Sequence, residues 1–180
     1  MKRAGRWIGG GVVGGLLVWR LTAQARVGNR SLPGGDGASP RSSAETEALS
    51  AVDLVRQVKA LCEAEGMSVV LPRSWRIVHD LIARPRDHHG YAHSPVFLFR
   101  CRRYRRGEVV SHRDLRKFSS GMARRTVRPT VSVFVTTTRA SVRTRELATG
   151  LGVVLMDLER LVDWGNGTDL ESVLADAGAT

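Results

Sequence analysis

The chain has 180 residues, enough for one domain with its own core and some tail on either side, and its 42% hydrophobic and 25% charged content is that of an ordinary globular protein. Lys and Arg total 28 against 17 Asp and Glu, a net charge of +11, which points to nucleic acid, an anionic membrane or an RNA-rich assembly as partner, or to a basic organelle-targeted protein. Two cysteines, Cys62 and Cys101, in apolar settings argue against a disulfide scaffold, and the lack of CxxC or Cys/His spacing argues against structural zinc.

Residues 1–30, "MKRAGRWIGGGVVGGLLVWRLTAQARVGNR", are basic, and the first acid is Asp36. An apolar run from Trp7 to Trp19 falls short of the about 20 residues that span a bilayer comfortably. Three readings stay open. The arginines and the lack of acids fit a mitochondrial presequence, and the flanking tryptophans fit a short inner-membrane anchor through residues 7–19. The basic start, apolar centre and Ala23-Gln24-Ala25 fit a secretory signal, though free cysteines speak against that route. Residues 31–43 form a Pro/Gly/Ser linker, so the folded domain is expected over 44–165, with a C-terminal tail at 166–180.

Within that domain the period of "ETEALSAVDLVRQVKALCEAEG" predicts one helix, capped by Ser43 or Thr46 and ended by Gly66. "MSVVL" and "RIVHDLIA" read as strands on either side of Pro72. A polar loop carrying His88, His89 and His93, whose spacing matches no strong metal-ligand pattern, leads to the strand "PVFLFRCRR". "SHRDLRKFSSGMARR" predicts a helix capped by Ser111, and "TVSVFVTTT", rich in β-branched residues, a strand. Ser141 opens a further helix through Leu151, "VVLM" is a short buried strand, and Asp157 caps a last helix. The order α-β-β-β-α-β-α-β-α implies an α/β domain with a mixed central sheet flanked by helices.

Several stretches together resemble the Mrr-like branch of the restriction-endonuclease (PD-(D/E)xK) superfamily, and within it a mitochondrial respiratory-growth subgroup. "VFVTTTRASVRTRELATGLGVVLMDLERL" (Val133–Leu161) is similar to that family's carboxyl half. "HDLIARP" (His79–Pro85) is similar to its strand with the metal-binding aspartate, and "FRCRRY" (Phe99–Tyr104) stands where the family has a Gln-Cys-Lys-like strand. "SHRDLRKFSSGM" resembles the helix that follows. The resemblance implies a restriction-endonuclease-like fold, with Asp80 at the first metal-ligand position and magnesium as cofactor if the domain is active.

Arg100 and Arg102 stand at the positions of the second ligand and the lysine. The two-residue period keeps them on one strand face, and Phe97, Phe99 and Cys101 on the other. A guanidinium has no lone pair for a metal and cannot be deprotonated to serve as a base. The expectation is a degenerate site in which the two arginines line the old cleft, pair with Asp80, or both. Asp53, Glu108, Asp114 and Lys117 are the candidates for relocated catalytic groups, each weighed against a solvated surface residue.

Around that strand end lie Arg103, Tyr104, Arg105 and Arg106, then Arg113, Arg116 and Lys117, then Arg124, Arg125 and Arg128. Guanidiniums interleaved with an aromatic suit phosphate contact and base stacking. The leading expectation is a mitochondrial, catalytically degenerate domain that binds DNA or RNA and needs no cofactor. Its competitors are an active metal-dependent DNA endonuclease using relocated residues, and a structural subunit of a mitochondrial ribonucleoprotein or membrane complex.

Overall fold

The computed structural model describes residues 42–72, 79–86, 95–122 and 130–178. The amino-terminal segment, the three loop histidines and Arg124, Arg125 and Arg128 lie outside them. Among the described residues, no helix is long and apolar enough to cross a membrane.

The first helical stretch is two helices. Helix α1 (Ser43–Ala48) is capped by Ser42, whose hydroxyl accepts from the Glu45 N–H while the Glu45 carboxylate accepts from the Ser42 N–H. Helix α2 (Ala51–Ala64) starts afresh at Ser50. Ser50 Oγ accepts from the Asp53 N–H and donates to Asp53 Oδ2, so the cap competes with helix continuation, and Leu49 between them turns extended. This corrects both the single helix and its predicted caps. Gly66, at φ 76°, takes the left-handed turn that ends α2 and delivers the chain to the sheet.

Five strands follow in spatial order β1 (Met67–Val70), β2 (Leu81–Pro85), β3 (Val96–Arg102), β4 (Thr130–Thr136) and β5 (Val153–Met156). The first three run antiparallel, and β3, β4 and β5 run parallel, giving the mixed sheet. Of the second strand expected over residues 76–83, residues 76–78 lie outside the described residues, and the described strand spans Leu81–Pro85. The Asp80 N–H still reaches the Phe99 carbonyl, so pairing with β3 begins one residue earlier.

Alternation along β3 divides the core. Phe97, Phe99 and Cys101 face a layer of α2, α5 (Leu158–Gly165) and α6 (Leu170–Gly178), where Phe99 stacks on Trp164 at 6.2 Å. Val96 and Leu98 face α3 (His112–Met122) and α4 (Val142–Gly150), where Phe118 meets Phe134 edge-on at 6.0 Å. Burying each of these phenylalanines contributes about 1.5–3 kcal/mol. Both cysteines are free thiols within the first layer, and burial pushes their pKa values well up.

Residues 166–180 are not a plain tail. Helix α6 sends Leu170, Val173, Leu174 and Ala177 into the core at helical spacing, and the Asp169 carboxylate accepts from the Ser172 N–H at its start. Among the described residues, helices therefore pack on both faces of the sheet.

Candidate nucleic-acid interface

Parallel strands β3, β4 and β5 end on the same rim, and α3, α4 and α5 begin there. The antiparallel β2 starts at that rim too, which brings Asp80 to it. In α/β sheets this carboxyl end is where loops and helix starts gather polar groups.

The ladder pairs Leu81 with Phe99 and Ile82 with Leu98, and the Asp80 N–H bonds the Phe99 carbonyl, which sets Asp80 beside Arg100 at the ladder's end. Arg100 Nη1 donates to Asp80 Oδ1 at 2.9 Å, and the Cys101 N–H donates to Oδ2 at 2.7 Å. The two side chains are 19% and 27% exposed, so the pair sits in the wall of the cleft rather than out in water. Arg100 thus pairs with Asp80 and also lines the recess it forms with α3. Arg102, two residues on, has a buried Nε with no hydrogen-bond partner among the described residues.

Helix α3 supplies the opposite wall. Asp114, Lys117 and Phe118 occur at i, i+3 and i+4, and with Arg100 and Arg102 they line a recess of about 20 Å³. That is room for a water or a single ligand oxygen. Two of the relocation candidates, Asp114 and Lys117, are thus brought to the site. The other two are not. Asp53 lies at the start of α2, which packs on the opposite face of the sheet, and bonds Ser50 and Arg56. Glu108 is exposed and closes its own turn by accepting from the Arg105 N–H at 2.7 Å.

Tyr104 holds the rim together. Its hydroxyl donates to Asp114 Oδ2 at 3.1 Å and accepts from the Ser111 N–H at 3.2 Å, while its ring packs against the α3 core layer. Burial, aided by the Asp114 charge, pushes its pKa up to about 12. The expectation of Tyr104 as a contact residue for nucleic acid therefore meets a half-buried strut. Arg103, Arg105, Arg106, Arg113, Arg116 and Lys117 are all exposed. None of these six makes a salt bridge among the described residues.

A divalent ion requires oxygen lone pairs, and here the donor set does not suit one. Both Asp80 oxygens already accept hydrogen bonds, and its side-chain neighbour is the Arg100 guanidinium, which has no lone pair to offer an ion. Among the described residues, no three His, Cys, Asp or Glu side chains gather as a ligand set. What the arrangement offers instead is positive charge and N–H donors around a small recess, which suits phosphate oxygens.

The family of restriction endonucleases represented by the Mrr catalytic domain matches residues 46–165. No match is found among curated proteins. The chain is similar to the MspJI restriction endonuclease, solved in complex with a 27-mer oligonucleotide, at 20% identity and a TM-score of 0.46, over 86% of this chain and 40% of that one. It is also similar to the DNA modification-dependent restriction endonuclease AspBHI at 18% identity and a TM-score of 0.41, over 90% of this chain and 46% of that one. It spans less than half the length of either.

Proposed function

The chain belongs to the restriction endonuclease family of Mrr type, and from that membership we propose that it is a DNA-binding domain that does not cut by the family's metal-dependent route. The observation that carries the reading is the Arg100–Asp80 pair, which puts a guanidinium against the one carboxylate at the family's ligand position. Binding rests on the exposed guanidiniums of Arg103, Arg105, Arg106 and Arg113, each able to neutralise a phosphate and release its counterion. Arg102 and Lys117 stand ready at the recess between them.

One observation favours a second reading. Asp114 and Lys117 reach the same recess as Arg100 and Arg102, so a relocated acid and lysine could serve a cleavage site together with Asp80. Against it, the Asp114 carboxylate is already held by Tyr104. Supercoiled plasmid incubated with magnesium or manganese separates the two readings. No nicking is expected from wild type. Nicking that disappears in Asp80→Ala would establish the active reading instead.

We also assign the domain to mitochondria, on the basic segment 1–30 and the absence of acids before Asp36. Residues 1–40 fused to a reporter should carry it there, and delivery to the secretory pathway would overturn the assignment.

A further inference from the structure

We propose that Arg100 is the cleft's permanent cation: it stands on Asp80 in place of a divalent ion, so that the adjacent recess holds a DNA phosphate without metal. The proposal rests on the DNA-binding reading above and adds how that site works. Three observations carry it.

The first is that the pair is built into the ladder. Asp80 directly precedes Leu81 at the end of the ladder and is held there by its N–H to the Phe99 carbonyl, next to Arg100 on β3, and the second Asp80 oxygen is fixed by the Cys101 N–H. A metal ion would have to expel a side chain that the sheet itself delivers. It would also have to sit beside a guanidinium that cannot lose its proton.

The second is what remains free. Arg100 gives one N–H to Asp80, while among the described residues Arg102 keeps a buried Nε donor without a hydrogen-bond partner and Lys117 makes no salt bridge. An unpaired buried donor is costly unless something accepts from it.

The third is charge and size. Arg100, Arg102 and Lys117 outnumber Asp80 and Asp114 by one positive charge, and the recess of about 20 Å³ admits one ligand oxygen. In a metal-dependent site, carboxylates repel the phosphate until an ion bridges them. Here the bridge is covalent to the chain.

The test uses the full chain and reads metal and DNA separately. Free manganese is followed by electron paramagnetic resonance, and affinity for a short fluorescein-labelled duplex by anisotropy, in EDTA and in manganese at matched ionic strength. Wild type should leave the manganese signal unchanged and bind DNA equally in both buffers, within about twofold. Arg102→Gln should weaken DNA binding about tenfold in EDTA, the worth of a charge-assisted hydrogen bond, without lowering the melting temperature. Arg100→Glu should take up manganese, gain thermal stability from it and lose DNA affinity in EDTA. Should that variant not fold, the wild-type manganese signal decides by itself. Manganese uptake by wild type that Asp80→Ala removes, or a wild-type affinity that rises with manganese, would overturn the proposal. If wild type binds no DNA in either buffer, the DNA reading fails, while the manganese measurement still judges Arg100.

Discussion

Two arginine–aspartate pairs stand on the same rim of the sheet, and they differ in what surrounds the acid. Asp157 is fully buried at the start of α5 and is saturated. It accepts from Arg145 Nη2 at 2.6 Å, from the Ala140 N–H at 3.3 Å and from the Arg160 N–H at 3.4 Å, tying α4, the turn after β4 and α5 into one joint. Asp80 has one guanidinium and one N–H and remains 27% exposed, and its partner Arg100 lines a recess with Arg102 and Lys117, neither of which makes a salt bridge among the described residues. The same chemical pair is a rivet in one place and the wall of a cleft in the other. Arginine beside aspartate does not mark function by itself. A partnerless Nε does not mark it either, since among the described residues Arg145 at the rivet has one as Arg102 does at the cleft; an acid left partly open beside further cations does.

Breaking the rivet should have the largest effect. Asp157→Ala strands the Arg145 guanidinium and two backbone N–H donors, and removal of one partner from a buried pair costs about 3–5 kcal/mol. Arg145 keeps a second carboxylate, Glu159, at 3.7 Å, which places the expected loss toward the lower end. Urea unfolding of wild type and variant measures it directly. A loss no greater than that of Arg100→Ala would erase the distinction between the two pairs.

The cleft side is sharpened by removing Arg103, Arg105 and Arg106 together. All three are exposed, so stability should hold within about 0.5 kcal/mol while DNA affinity falls. The slope of log affinity against log salt should become shallower by about 0.9 for each phosphate that is no longer neutralised. A fall in affinity with an unchanged slope would mean that these side chains act other than by neutralising phosphates. Arg100→Ala should come next, at about 1 kcal/mol of stability, because Asp80 keeps the Cys101 N–H and has access to water. Measured beside Asp157→Ala, that smaller loss is the quantitative form of the comparison.

Much of this was legible in the sequence, for reasons particular residues make plain. The alternation of β3 separates Arg100 and Arg102 from Phe97, Phe99 and Cys101, and a period of two survives any tertiary context. The parallel half was legible because Ser141 and Asp157 cap their helices with side chains that read locally. The split between α1 and α2 was written in Ser50, but its cap competes with a helical period that runs on through it. Helix α6 has Leu170, Val173, Leu174 and Ala177 at the right spacing, yet it is short and follows Asn166, Gly167 and Thr168, which read as an ending. Asp114 and Lys117 could be placed on one helix face by spacing alone. That this face leans over Arg102 depends on how Leu115, Phe118 and Met122 seat in the α3 core layer, which no local pattern encodes. Tyr104 reads as a free aromatic for a similar reason: its hydroxyl is held by Asp114, ten residues away.

A third acid tests the rule that the company of a guanidinium matters, and its effect is the smallest. Glu65, past the end of α2, accepts from Trp164 Nε1 at 3.3 Å and from the Leu170 N–H at 3.0 Å, with no cation among these partners. Those bonds favour the carboxylate, but burial opposes it more strongly, and the pKa is raised above its ordinary 4.5. The sign follows. An acid whose folded pKa is raised binds its proton more tightly when folded. Its contribution is therefore complete below pH 4.5 and is lost as pH climbs through the raised folded value. Glu65→Gln keeps an acceptor oxygen for Trp164 and Leu170 and cannot ionise. Relative to wild type, the variant should gain stability as pH rises from about 4 to 7. Paired urea curves at those two values measure the difference. If the variant instead lost stability with rising pH, the two neutral N–H donors would outweigh burial, and an acid at this fold's joints would need no guanidinium to stay charged.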